Sequence, residues 1–186
     1  MRVRAALSAV LFFTISAAHA ADEYRQLVKV NTFPITLDRD FQIRKAKLFI
    51  LGDTFGTKIR GGRSVSGDAL SPGVARDPAV NFERSYRLFG AVTALDQRRR
   101  FGHYFDFFWR AKRPAEVAVR LEYRQAKLRT FTQAREVFYP NARGNHHTSF
   151  AVIGDDFFND GRVLSWRCSL IEKGRIVAEE RSFLWR

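Results

Sequence analysis

One cysteine in 186 residues excludes an intramolecular disulfide, so the chain must be held by packing and pairing alone. That residue, Cys168, falls in phase with Leu164, Trp166 and Leu170, the setting of a buried thiol acting as a small hydrophobe. It lacks the exposed, electropositive surroundings of a catalytic thiolate. No Gly-x-Ser-x-Gly elbow surrounds Ser149, Ser165, Ser169 or Ser182, and no histidine is tied to them by spacing. Cofactor fingerprints and complete metal-ligand sets are also missing, and no cofactor is expected. Beyond the first 20 residues no segment is long and uncharged enough to cross a bilayer as a helix, which takes ~20 apolar residues.

Acidic residues are scarce as well, 19 against 32 Lys and Arg. An excess of positive charge favours anionic partners, although arginine spread over a solvated sheet face produces the same total. The one true run is Arg98-Arg99-Arg100.

What is present begins with a leader. Arg2 and Arg4 precede an apolar run through Leu11, Phe12, Phe13 and Ile15, and Ala18-His19-Ala20 supplies small residues for a signal peptidase. Residues 1–20 are therefore expected to be a secretory signal peptide cleaved before Ala21. Residues 21–186 are left as a single domain, periplasmic or secreted, with a net charge of +11 (30 basic less 19 acidic). With no cysteine at the cleavage site, a lipid-anchored product is disfavoured.

The remainder reads as strands. Val117, Val119, Leu121 and Tyr123 alternate with Glu116, Arg120, Glu122 and Arg124, the period of two of a sheet with one dry and one wet face. Strands are expected over 84–95, 103–111, 116–124, 129–139, 148–154, 162–172 and 175–185. Lys173-Gly174 forms the tight hairpin between the last two. An N-terminal β layer spans Tyr24 to Leu51, with Pro34 confining one of its strands to an edge. Glycine, proline and serine mark residues 56–81 as a long loop. The expected class is all-β: an antiparallel β-sandwich, immunoglobulin- or fibronectin-like in general architecture. A transmembrane barrel is disfavoured, because Arg129, Arg135 and Glu136 place charge on both faces of one strand.

Two groups of residues stand out as candidate sites. Phe105, Phe107 and Trp109 form an apolar face, yet Tyr104 and Phe108 put two aromatics among Asp106 and Arg110 on the opposite one. The N-terminal layer or a second subunit is expected to cover them, or they mark an interaction site. With Arg98, Arg99 and Arg100 at a hairpin tip, Tyr104, Phe108 and Arg110 make the candidate binding surface. The weaker alternative is a metal site from His146, His147, Asp155 and Asp156. Its spacing is poor, because adjacent residues of a strand point oppositely. Trp109 and Trp166 read as core rather than as sugar platforms.

The expected function is that of an exported, non-catalytic binding or interaction module, its partner a protein or a second copy of the chain. The alternatives are a binder of anionic surface polymer or lipid and a metal-dependent hydrolase. Export argues against nucleic acid as a partner.

Overall fold

Two long strands organise the molecule. In a computed structural model of the chain, which describes residues 24–52 and 78–185, β3 (Gly102–Gln125) and β4 (Thr132–Ile153) form an antiparallel ribbon. β1 (Arg25–Leu27) pairs with the outer edge of β4, and β5 (Val163–Glu172) and β6 (Arg175–Arg181) extend the sheet on the other side of β3. β2 (Phe41–Leu51) shares that side, pairing with residues 102–111 of β3 while β5 takes residues 118–125. The six strands therefore make one mostly antiparallel sheet. The expected leader and residues 56–77 of the expected loop lie outside the described residues.

The ribbon does not run straight. Its register slips between Ala111 and Val117, where Pro114 lies, and opposite these residues Pro140 and Asn141 fall between the paired residues Tyr139 and Ala142. Proline has no N–H for a ladder, so both strands relax their pairing at one level and bend together. Arg135 and Ala151, eight residues either side of Arg143 on the same strand, then meet: the guanidinium donates to the Ala151 carbonyl. Residues 103–111 and 116–124 are halves of one strand, and so are 132–139 and 148–153, while residues 129–131, expected in a strand, lie in the turn that leads into β4.

Bending brings the apolar faces of the two halves together. Phe105 and Phe107 from the first half of β3 meet Trp166 of β5 at ring distances of 6.1 and 5.5 Å. Val119, Leu121, Tyr123, Cys168 and Leu170 complete a core with Trp109 and Phe150. The side-chain phase of all these residues follows the alternation in the sequence. Between β5 and β6, Lys173 and Gly174 adopt φ of 48° and 72°, the paired positive values of a tight hairpin.

The face expected to be wet is largely roofed. Arg120 and Glu122 are buried. Arg120 is bonded to Glu136 and to the Asn31 carbonyl beneath the ring of Phe33. Glu122 accepts from Arg167 at 2.6 Å, and Trp185 lies against the guanidiniums of Arg124 and Arg167. Asn31 and Phe33 of the N-terminal stretch thus cover Arg120 on the second half of the ribbon, while Lys47 of β2 reaches over Phe108 on the first. Residues 34–38 run beside β6, with Thr36 and Asp38 donating backbone N–H groups to Ile176 and Val177.

Residues 84–95 form no strand. Helix α1 (Pro78–Leu88) and helix α2 (Ala94–Arg100) occupy that part of the chain, and the last residues of the expected loop are the first turn of α1. A third helix, α3 (Asp155–Asp160), follows β4 and ends at Gly161, whose φ of 85° suits a residue without a side chain.

Candidate functional site

Local chemistry explains the two helices. Pro78 opens α1, where its missing N–H costs nothing, and Glu83 and Arg87 form an i,i+4 ion pair at 2.7 Å. Gly90, with φ of 80°, stops the chain just past the helix. Thr93 then caps α2: its hydroxyl accepts from the Asp96 N–H and the Asp96 carboxylate accepts from the Thr93 N–H, a capping box.

The orientation of α1 is inverted relative to an ordinary amphipathic helix. Glu83, Arg84, Arg87 and Leu88 are its less exposed positions. Arg87 donates to Asp106 of β3 at 2.9 Å and lies 4.3 Å over the ring of Tyr104. The aromatics point away: Phe82, Tyr86 and Phe89, spaced four and three apart, are 70%, 65% and 83% exposed. Phe82 and Tyr86 stack on one another at 6.4 Å. Val92 and Leu95 prolong the apolar row onto α2, at 86% and 57% exposure. Five large apolar side chains over fourteen residues of chain are therefore turned to solvent.

The three consecutive arginines have separate fates. Arg100 donates to the carbonyls of Arg87 and Phe89 at 3.0 and 2.7 Å, which satisfies the C-terminal end of α1 and staples the helices together. Its own carbonyl accepts from the Tyr104 hydroxyl at 2.6 Å. Arg98 lies 4.5 Å over the ring of Phe158, and Arg99 is exposed at the end of α2. All three belong to a helix rather than to a hairpin tip. Tyr104 is buried beneath this pair of helices, and burial pushes its hydroxyl up while Arg87 and Arg100 pull it down. The expected cover over Tyr104 is thus helical.

Phe108 is half-buried on the same sheet face, stacked on His147 at 4.6 Å with Lys47 5.3 Å above its ring. Arg110 is exposed further along β3. Beside Phe108, Ser149 Oγ donates to Asp106 Oδ1 at 2.5 Å, and His147 Nε2 lies 3.0 Å from that oxygen and 3.2 Å from the hydroxyl. This is not a relay. A nucleophilic triad needs the carboxylate and the hydroxyl on opposite nitrogens of the imidazole, whereas here both address Nε2 and the serine proton is given to the acid. Asp106 acts instead as the anchor of Arg87.

His146 and His147 are strand residues, not turn surface. They point to opposite faces of β4, His146 stacking on Trp109 at 4.5 Å and His147 on Phe108. Asp155 and Asp156 open α3 beyond the far end of that strand, and Asp156 is paired with Arg135. The four residues do not converge, and among the described residues no cluster of three or more His, Cys, Asp or Glu has the geometry to hold a metal ion.

Two open clefts lie elsewhere. One of about 620 Å³ is lined by Tyr24, Gln26, Phe131 and Arg135, the other of about 680 Å³ by Asp38, Arg113, Glu172 and Arg175. Each is built around a guanidinium that is already engaged. Arg113 donates to Glu172 at 2.6 Å and to Asp38 at 3.1 Å. The Arg113 bonds hold the Glu172 carboxyl below its ordinary range, and the Asp40 N–H followed by Arg113 does the same for Asp38.

The outward aromatic row of α1 and α2 escaped the sequence reading, although Pro78, the Glu83/Arg87 spacing, Gly90 and the Thr93/Asp96 box all signal helices. Among the described residues no helix is long and apolar enough to cross a membrane. Compared with known proteins, the chain matches no family model, no curated protein and no solved structure.

Proposed function

We propose that this is an exported binding module without catalytic activity, and that its contact surface is the ledge formed by α1 and α2. The scaffold is read as a two-layer sandwich made by folding one sheet across the β3–β4 bend. The observation that carries the proposal is the inversion of α1, which commits Arg87 to the sheet while Phe82, Tyr86 and Phe89 stand in solvent. Contiguous exposed apolar surface of this kind is uncommon on monomers and marks places of association. Among the described residues, packing within the chain does not explain it, since none of the buried positions belongs to either helix. Of the residues singled out in the sequence, Arg98 and Arg99 flank this ledge, Arg100 holds it together, and Tyr104 supports it from below. Phe108 and Arg110 lie along the same sheet face, about 13–20 Å along the strand from Tyr104 at ~3.3 Å per residue.

A photo-crosslinking amino acid placed at position 89, and separately at the exposed Phe138 of β4, tests this in the producing cell. Adducts detected by mass at position 89 and not at position 138 are expected. Equal adducts at both positions, or none at 89, would remove the ledge as the contact surface.

A further inference from the structure

We infer that the partner of the ledge is the surface of an anionic lipid bilayer. The inference rests on the ledge being the contact surface, and it names what that surface meets. The apolar row would enter the boundary between headgroups and acyl chains, and the arginines beside it would lie among the phosphates.

Charge accounting on the ledge favours this occupant. Its two acidic residues are consumed internally: Asp96 closes the capping box with Thr93, and Glu83 pairs with Arg87. The cations are not matched in the same way. Among the described residues Arg84 and Arg98 form no ion pair, Arg99 shares the field of Asp96 with Arg100, and Lys45 and Lys47 of the neighbouring strand β2 are exposed. The ledge therefore presents an apolar row bordered by uncompensated positive charge. A soluble polyanion would satisfy the charge and leave five apolar side chains in water. A bilayer bearing anionic headgroups satisfies both, and this is the composition by which helices lie in a membrane interface.

The geometry agrees with shallow docking. Phe82 and Tyr86 stack at four-residue spacing on α1, Phe89 follows three residues on just past its end, and with Val92 and Leu95 all five are exposed, so the row can meet a surface without unfolding either helix. Arg98 and Arg99 follow Leu95 by one turn. Long arginine side chains reach back from such a position to the phosphate level. Arg100 keeps the two helices at a fixed angle through the α1 carbonyls, so the row enters as a rigid unit.

The test uses the chain as purified from the producing cell and flotation with vesicles of phosphatidylcholine alone or with about one-third phosphatidylglycerol. Expected is partition onto the anionic vesicles, weakening as salt rises, and little onto the neutral ones. Phe82→Ser with Phe89→Ser should lower that partition by about 100-fold, from roughly tenfold per buried aromatic. Arg98→Gln with Arg99→Gln should lower it about 25-fold, roughly fivefold per charge, and flatten the salt dependence. Because every variant has the same N-terminus as the wild type, the differences isolate the ledge. Phe89→Trp supplies a second readout: its emission should shift to the blue on anionic vesicles. Partition unaffected by Phe82→Ser with Phe89→Ser, or an emission of the Phe89→Trp variant that stays unshifted on saturating vesicles, overturns the lipid assignment. A protein adduct at position 89 with no vesicle binding refutes the bilayer while leaving the ledge as the contact surface. Absence of both removes the ledge as well. Equal binding of wild type and Phe82→Ser/Phe89→Ser to a soluble acidic polysaccharide, without vesicle binding, assigns the charge to a polymer and refutes the inference.

Discussion

Replacing His103 by phenylalanine should remove a specific acid sensitivity from the fold. The imidazole is buried at the start of β3, 6.1 Å from the ring of Phe105 and 5.6 Å from that of Phe157, and its Nε2 has no hydrogen-bond partner. Burial first, and the nearby Arg162 second, push its pKa from 6.5 down to about 4. Between those values the unfolded chain binds a proton that the folded chain refuses, so stability rises with pH across the window. This contribution is complete above pH 6.5, falls as pH drops through the window, and levels off below about 4. At ~1.36 kcal/mol per pH unit, acidification from about pH 7.5 to about 4.5 removes roughly 2.5 kcal/mol through this one group. For a domain of this size that is about 5–10 °C in Tm. The His103→Phe variant has nothing to protonate at this position and keeps the ring contacts. Urea denaturation of both proteins at about pH 7.5, 6.5, 5.5 and 4.5 should show the variant gaining on the wild type by that amount as pH falls. Glu172 and Asp38, whose carboxyls are held low by Arg113 and the Asp40 N–H, lose their stabilising effect below the ordinary carboxylate range in both proteins and cancel in the difference. A gap that stays constant with pH would refute the reasoning.

Three further outcomes are expected. At Gly102, where φ is 147° and an added Cβ would stand 2.2 Å from the Val152 carbonyl oxygen, Gly102→Ala should cost about 3 kcal/mol or more, read as a fall in Tm and in soluble yield. Glu122→Ala should cost about 2–4 kcal/mol by leaving Arg167 with only the longer 3.9 Å pairing to Glu179, and Glu122→Leu with Arg167→Leu should recover part of it in denaturant titrations. Cys168 is fully buried and burial raises its thiol well above the ordinary value, so a thiol reagent should fail to label the native protein, and labelling should begin only in denaturant. Rapid labelling without denaturant would show that the strand opens locally.

Much of the core was legible because its residues obey a period of two within each strand. Phe105, Phe107 and Trp109, and Val117 to Tyr123, lie on the face that alternation assigns them, and Lys173-Gly174 is the hairpin its composition indicates. The punctuation was located correctly and interpreted differently. The gaps expected between 103–111 and 116–124 and between 129–139 and 148–154 face each other across the ribbon, so pairing resumes beyond them. Alignment between distant segments is a tertiary fact that neither segment contains. The same holds for Arg120 and Glu122, whose alternation promises solvent but whose partners, Glu136, Asn31 and Arg167, lie 16, 89 and 45 residues away. The ledge was missed for the opposite reason. Its helical spacing and caps are local and visible, but an apolar face is expected to point inward, and here it points out.

The bend shared by β3 and β4 has a consequence for how the molecule comes apart. Because each strand passes through both halves, neither half owns a complete set of hydrogen bonds, and neither can detach while the other keeps its ladder. Amide exchange should report a single opening free energy for residues of β3 and β4 on both sides of Pro114, the behaviour of one cooperative unit. The helical ledge is excepted, held to the rest of the molecule by Arg87 on Asp106 and Tyr104, by the Tyr104 hydroxyl on the Arg100 carbonyl and by Arg98 over Phe158. With its two helices fixed to each other by Arg100, it should tilt as a unit against a partner while the sheet beneath it stays paired, one small body hinged on a larger one.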